Sequence, residues 1–345
     1  MIAEHRSGRI CNRILPQPAV EEATLRREIP LLGTIRRHNI PMRTYVRALP
    51  AAVAAVLVVF APTVAAAPVA GGSNDQAPFP VALQPDGIQA RGAALAEGNT
   101  GVIVWSREAD ARVPIASLTK VMTAVVVLEA GDLERAVTVP QTAIDASAAH
   151  GGSNAGLIAG EVLTARQLLY AMMLPSGCDA SYALAEAYGP GREAFIAKMN
   201  ATAQRLGMGN THFTDPSGLP VPDDFSTYST PADLVRLGRH AMANPVFREI
   251  VGTQVHDLPA GAGNRHHVWE NTNDLLHQYP GTTGIKTGST NAAGTCLLFE
   301  ARRGAQRLIG VVLHSSPFNL DAATTDAQRL MNWAFLPILT SLPVG

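Results

Sequence analysis

"SLTKVMTAVVVLEA", residues 117–130, sets a serine and a lysine three positions apart at the head of an almost wholly apolar stretch. Apolar residues recurring at helical spacing make this a helix, and the three-residue interval puts Ser117 and Lys120 on one face within mutual reach. A serine at that end feels the helix N-terminus, which favours developing negative charge. An amine beside it can take the hydroxyl proton if burial or a second cation lowers its pKa. Such a pair needs no histidine. Serine and lysine are common, however, and S-x-x-K arises by chance about once in a chain of this size. The motif acquires meaning only from what surrounds it.

Outward from this helix the period stays helical. "TARQLLYAMM", "DASYALAEAY", "REAFIAKMNATAQRL" and "STPADLVRLGRHAM" all carry apolar residues three and four apart. In the last of these, Thr230 reads as N-cap, Pro231 as the first helical residue and Asp233 as the capping-box acid. Before the helices, "AALAE" and "GVIVWS" flank the turn signal "GNT" and read as a hairpin. After them, "GTTGIKT", "GTCLLFEAR" and "RLIGVVLH" return to strand character, and "TTDAQRLMNWAF" closes the chain as a helix. Strands at both ends with helices between predict a mixed α/β (α+β) fold: one sheet assembled from the two termini, covered by helices, with a helical lobe inserted at about residues 116–270. The cleft between sheet and lobe is the expected site.

Composition narrows the function classes. The chain has 345 residues, 47% hydrophobic and 16% charged, with a formal net charge of -1 and no block of Lys/Arg. That excludes the clustered cations a nucleic-acid surface needs. Residues 42–67, "MRTYVRALPAAVAAVLVVFAPTVAAA", follow the layout of a secretory signal: two arginines, an apolar run, then small residues. Residues 1–41 fit no ordinary signal and read as an upstream extension before a true start at Met42. Residues 68–88, rich in Gly, Pro and polar residues, read as a linker to a catalytic domain over 89–340. No later segment approaches the ~20 apolar residues of a membrane span. The expected location is therefore outside the cytoplasm.

Two further motifs accompany the Ser-Lys pair. "GIKTGST", residues 284–290, lies on a strand expected near the sheet's edge. Lys286 supplies positive charge to a substrate anion, Thr287 offers a hydroxyl to a carboxylate, and Gly288 lets a ligand backbone come close. K-T-G arises by chance in only a few per cent of such chains, so its place downstream of S-x-x-K matters. "LPSGCDAS", residues 174–181, puts Ser176 at a helix start, as an N-cap, as a second hydroxyl in a proton relay, or as both.

"ASLTK", "PSGCDAS" and "GIKTGST", in this order on this alternation of elements, resemble the low-molecular-mass penicillin-binding proteins, the serine-type D-alanyl-D-alanine carboxypeptidases of peptidase family S11 in the β-lactamase/transpeptidase-like superfamily. "KMNATAQRLGMGNTHFTDPSGL" and "NTNDLLHQYPGTTGIKTGSTNAAGTCLLFEARR" extend the likeness over roughly residues 89 to 335. The resemblance implies a DD-peptidase-like fold, an antiparallel sheet of about five strands flanked by helices with an all-helical subdomain. It also implies roles. Ser117 attacks the carbonyl between the last two D-alanines of a peptidoglycan stem pentapeptide, with Lys120 as base. Ser176 passes the proton toward the leaving amine. Lys286 and Thr287 hold the terminal carboxylate, and the backbone N–H groups of Ser117 and Ser289 form the oxyanion hole. β-Lactams are the implied covalent inhibitors, and neither metal nor cofactor is required.

The chain departs from the family at Cys178, where the S-x-N pattern has asparagine. A thiol donates and accepts only weakly compared with an amide. Cys178 reads as a small replacement lining the site; a nucleophile, a disulfide partner for Cys296 and plain packing are the competing readings. Asp179 beside it would raise rather than lower the thiol's pKa, against a nucleophilic role. A β-lactamase of this superfamily would need an acid in an E-x-x-x-N loop, whereas Glu186 and Glu193 fall inside expected helices. D,D-Endopeptidase or transpeptidase action shares the same acyl-enzyme and stays open. A zinc peptidase would need a histidine-carboxylate cluster, but His266 and His267 read as solvated loop residues. Intact Ser117, Lys120 and Lys286 argue against a non-catalytic wall-binding sensor.

Overall fold

The computed structural model of the protein describes residues 84–336, so the readings of residues 1–41, of the signal at 42–67 and of most of the linker lie outside the described residues. The hairpin forms β1 (Gly92–Glu97) and β2 (Ile103–Arg107). After β3 (Val113–Pro114), a 3-10 turn over Ala116–Leu118 runs directly into α1 (Thr119–Ala130). There follow β4 (Ala136–Thr138), α2 (Gln141–Ala149), β5 (Val162–Thr164), α3 (Ala165–Met173), α4 (Cys178–Tyr188) and α5 (Arg192–Arg205). Next come β6 (Tyr228–Ser229), which pairs back to β3, then α6 (Pro231–Ala241), α7 (Pro245–Gly252) and the hairpin of β7 (Val255–Leu258) with β8 (His267–Glu270). The chain closes with α8 (Leu275–Gln278), β9 (Thr282–Thr290), β10 (Gly294–Arg303), β11 (Gln306–Leu313) and α9 (Asp321–Ala334).

The sheet has the order β2-β1-β11-β10-β9 with every pair antiparallel, so the first two strands and the last three share it, as the sequence pattern requires. Strand alternation splits its side chains between two cores. Ala94, Ala96, Leu298, Ile309 and Val311 face the larger one, on the side of α6. Ala93, Leu95, Leu297, Phe299 and Val312 face the smaller one, under α9. The closing helix is tied across the molecule by Asp326, whose carboxylate accepts from the backbone N–H of Gln89 at 2.9 Å and of Ala90 at 2.7 Å.

Helix α1 is buried from Thr119 to Val127, with α3, α4, α5 and α6 around it. A helix apolar on every side must be surrounded in this way. Thr230 caps α6 as its sequence indicates, its hydroxyl accepting from Asp233 N at 3.2 Å, with Pro231 at the first helical position. The Asp233 carboxylate does not close a capping box. It accepts instead from Asn210 N, Thr211 Oγ1 and Arg236.

The two histidines are also placed differently from their reading as loop residues. Both border or enter β8: His266 is exposed and meets Asp257, while His267 is buried against Glu161 at 3.0 Å. The hairpin lacks the tight turn signal that marks the first one, because eight residues separate its strands.

Phe299 is fully buried between β10 and α9. Phe299→Ala is expected to lower unfolding stability by about 3–5 kcal/mol, read as a shift of the urea midpoint at unchanged slope. A shift under about 1 kcal/mol would mean that the α9 core is not laid out as described.

Candidate active site

Ser117 sits in the 3-10 turn, one residue after Ala116, which has a positive φ of 47°. Lys120 lies one turn on, in α1, with no exposed surface. Its Nζ donates to Ser117 Oγ at 2.8 Å, to the Ser217 carbonyl at 2.9 Å, and lies 3.4 Å from Cys178 Sγ. The amine is thereby aimed at the hydroxyl by two fixed neighbours.

The Ser217 carbonyl is itself held. Asp215 Oδ1 accepts from Ser217 N, Ser217 Oγ, Gly218 N and Leu219 N, and Asp215 Oδ2 accepts from the Tyr182 hydroxyl at 2.6 Å. Burial and the Asp215 charge raise the Tyr182 pKa, so the phenol stays a donor. Gly218, at φ +86°, presses on the turn: a Cβ there would stand 1.9 Å from the Ala116 carbonyl oxygen. No other residue fits that approach.

Strand β9, the sheet's edge, brings the second motif against the same turn. A Cβ on Gly288 would lie 3.0 Å from Ser117 N, so the glycine lets the strand backbone pass beside the serine's N–H. Lys286 is buried to 1% exposure, and its hydrogen bond among the described residues is a long one, 3.4 Å, to Thr287 Oγ1. Burial, and after it the charge of Lys120, pull its pKa from 10.5 down to about 7. Thr287 Oγ1 also meets Thr272 Oγ1 at 2.7 Å, and Ser289 is exposed at the strand's end.

Ser176 is not the N-cap of α4. Gly177 holds that position without a side-chain cap, and Ser176 stands one residue before it at φ 66°. Its side chain has no hydrogen-bond partner among the described residues and lines the cleft with Ser117 and Thr287. Cys178 N donates to Ser153 O at 2.8 Å, and the Asp179 carboxylate accepts from Ala155 N and Leu157 N, which fastens residues 153–157 as a cleft wall. Asp179 is thus occupied with backbone. Both described cysteines are free and buried, with no disulfide between Cys178 and Cys296. Burial pushes the Cys296 thiol up to about 12.

The cleft has two connected parts. One, of about 220 Å³, is lined by Ser176, Thr272, Thr287 and Gly288; the other, of about 260 Å³, by Gly152, Cys178, Leu219 and Asn291. Ser117, Ser153 and Ser289 border both. No group of three or more metal-ligating side chains occurs among the described residues. Nor is any described helix long and apolar enough to cross a membrane.

The D-alanyl-D-alanine carboxypeptidase family S11 matches residues 80–316. The chain belongs to that family. The D-alanyl-D-alanine carboxypeptidase of Streptomyces sp. (strain K15) is 40% identical over 278 residues, covering 77% of this chain and 94% of its own. DacB2 of Mycobacterium tuberculosis is 38% identical over 246 residues, 70% and 80% of the two chains. The crystal structure of the Streptomyces K15 DD-transpeptidase, 40% identical, superposes with a TM-score of 0.69 over 73% of this chain and 99% of its own. This S11 chain is accordingly a serine hydrolase of the DD-peptidase fold. All eight residues singled out in the sequence border the cleft or its floor.

Sequence reading missed Asp215, Ser217 and Thr272. The first two were visible as "DPSG", a stretch in which an aspartate side chain accepts from the backbone two and three residues on. Thr272 carries no such mark.

The displaced Lys286 pKa gives a signed pH effect. The native state holds this proton more weakly than the unfolded chain, so stability rises with pH between about 7 and the ordinary value of 10.5. From about pH 7 to about pH 9 the protein is expected to gain roughly 2 kcal/mol relative to Lys286→Met, measured by urea unfolding of both at each pH. Parallel pH dependence in the two proteins would contradict the burial of a proton-poor amine.

Proposed function

We propose that this S11 enzyme removes the terminal D-alanine from peptidoglycan stem pentapeptides through an acyl-enzyme on Ser117. The observation that carries the reading is the 2.8 Å contact between Lys120 Nζ and Ser117 Oγ in a floor with no solvent access to the amine. Ser117 Oγ adds to the carbonyl carbon of the penultimate D-alanine as its proton passes to Lys120 Nζ, the base. The carbonyl oxygen becomes an oxyanion held by the backbone N–H groups of Ser117 and Ser289, a placement supported by the close approach of Gly288 to Ser117 N. The bond to the terminal D-alanine then breaks, and its nitrogen takes the proton by way of Ser176. Water adds to the ester, Lys120 takes its proton, and Ser117 is released.

Lys286 and Thr287 receive the substrate's terminal carboxylate. Arrival of that anion restores the charge that burial and Lys120 remove from Lys286, so binding draws a proton from solution near neutral pH. Cys178 takes the place of the family's asparagine, touching Lys120 with a weak acceptor and leaving a carboxamide's contacts unmade. The signal-like residues 42–67 support export to the compartment where this substrate lies. A second reading, transfer of the acyl group to a peptide amine, is supported by the name of the K15 DD-transpeptidase, which shares the fold at 40% identity.

Fluorescent penicillin is expected to label the purified protein at Ser117, shown by intact mass and peptide mapping, and Ser117→Ala to abolish labelling. Retained labelling at another residue would overturn the assignment. Cys178→Asn is expected to keep or raise the release of D-alanine; loss of turnover with labelling intact would give the thiol a specific role.

A further inference from the structure

The cleft has a direction. If the terminal carboxylate sits at Thr287 and the scissile carbonyl at Ser117, the rest of the donor peptide must leave past Ser289 into the part of the cleft bounded by Thr290, Asn291, Gly151, Gly152 and Leu219. In an extended chain successive residues advance about 3.3 Å, so the residue next to the penultimate D-alanine, the third of the stem, falls within that part.

One carboxylate lines it, that of Asp224. Its neighbour Asp223 is committed, with Oδ1 accepting from Phe225 N at 2.9 Å in a tight turn. Asp224 is exposed and has neither a hydrogen bond nor an ion pair through its side chain among the described residues. Beside it in the lining lie Pro220, half-buried, and the edge of Leu219, 8% exposed. Apolar wall followed by a free carboxylate is the complement of an aliphatic side chain ending in an ammonium. Lys120 and Lys286 are sunk in the floor below the motif residues, so neither neutralises Asp224 by a direct contact.

Resting on the carboxypeptidase reading, we propose that Asp224 is a specificity residue that selects donor peptides whose third residue is a diamino acid with its side-chain amine free. Leu219 and Pro220 cover the methylenes, and Asp224 pairs with the ammonium. A donor whose amine is already acylated, as in a cross-linked stem, forfeits this contact and is a poorer substrate.

The test compares release of D-alanine from acetyl-Lys-D-Ala-D-Ala with release from the same peptide acetylated on the lysine side chain. The wild-type enzyme is expected to favour the free amine by about fivefold in kcat/KM, the size of an exposed ion pair, and the preference to shrink at high ionic strength. Asp224→Asn is expected to bring the ratio to about one, Asp224→Glu to preserve it, and Asp224→Lys to favour a succinylated lysine instead. A wild-type ratio near one, or a ratio unchanged in Asp224→Asn, would overturn the assignment while leaving the carboxypeptidase reading in place. Release from neither peptide by the wild-type enzyme would overturn that reading and the assignment together.

Discussion

An amine with no exposed surface, held 2.8 Å from a serine hydroxyl, is the constraint around which the rest of this molecule is arranged. Burying a lysine costs free energy unless its donors are met. Here they are met by Ser117 Oγ, by the Ser217 carbonyl and, weakly, by the Cys178 thiol. Each of these comes from a different segment. The turn before α1, the loop at 215–219 and the start of α4 must all converge before the amine can be placed. The buried network of Asp215, Tyr182 and Ser217 serves that convergence, since satisfied buried polar groups fix a single geometry.

The second cation depends on the first. Lys286 reaches the same floor from the edge strand β9, and its pKa falls because water is excluded and because Lys120 is near. If Lys286 receives the substrate's carboxylate as proposed, a group short of charge until the anion arrives discriminates by charge as well as by shape. The edge position of β9 is equally functional. An edge strand leaves one row of backbone groups unpaired within the sheet, and this one also passes so close to the turn that carries Ser117 that a Cβ on Gly288 would meet Ser117 N.

Most of the architecture was legible from periodicity. The five sheet strands and helices α1, α3, α4, α5, α6 and α9 all lie where apolar patterning put them, because each carries enough buried residues for its period to show. The elements that went unseen are short or weakly patterned: β3 to β6, the β7–β8 hairpin, and the helices α2, α7 and α8, of nine, eight and four residues. His267 was misread for the same reason. Its burial depends on a distant carboxylate, Glu161, that no local pattern reveals. Ser176 looked like an N-cap because serine often is one, yet its φ of 66° puts it one residue outside the helix.

By itself the sequence determined the sheet built from both termini, the helical insertion, and the residue types of the site, because these follow from local spacing and from motifs a few residues long. Tertiary structure alone decided which groups meet. That Lys120 faces Ser217, that Thr272 meets Thr287, that Cys178 and Cys296 remain apart as free thiols and that Asp224 shares a cavity with Ser117 are all contacts between segments far apart in the chain. The physical reason is that hydrophobic patterning specifies which face of an element is buried, whereas the partner across that face is fixed only when every layer has packed.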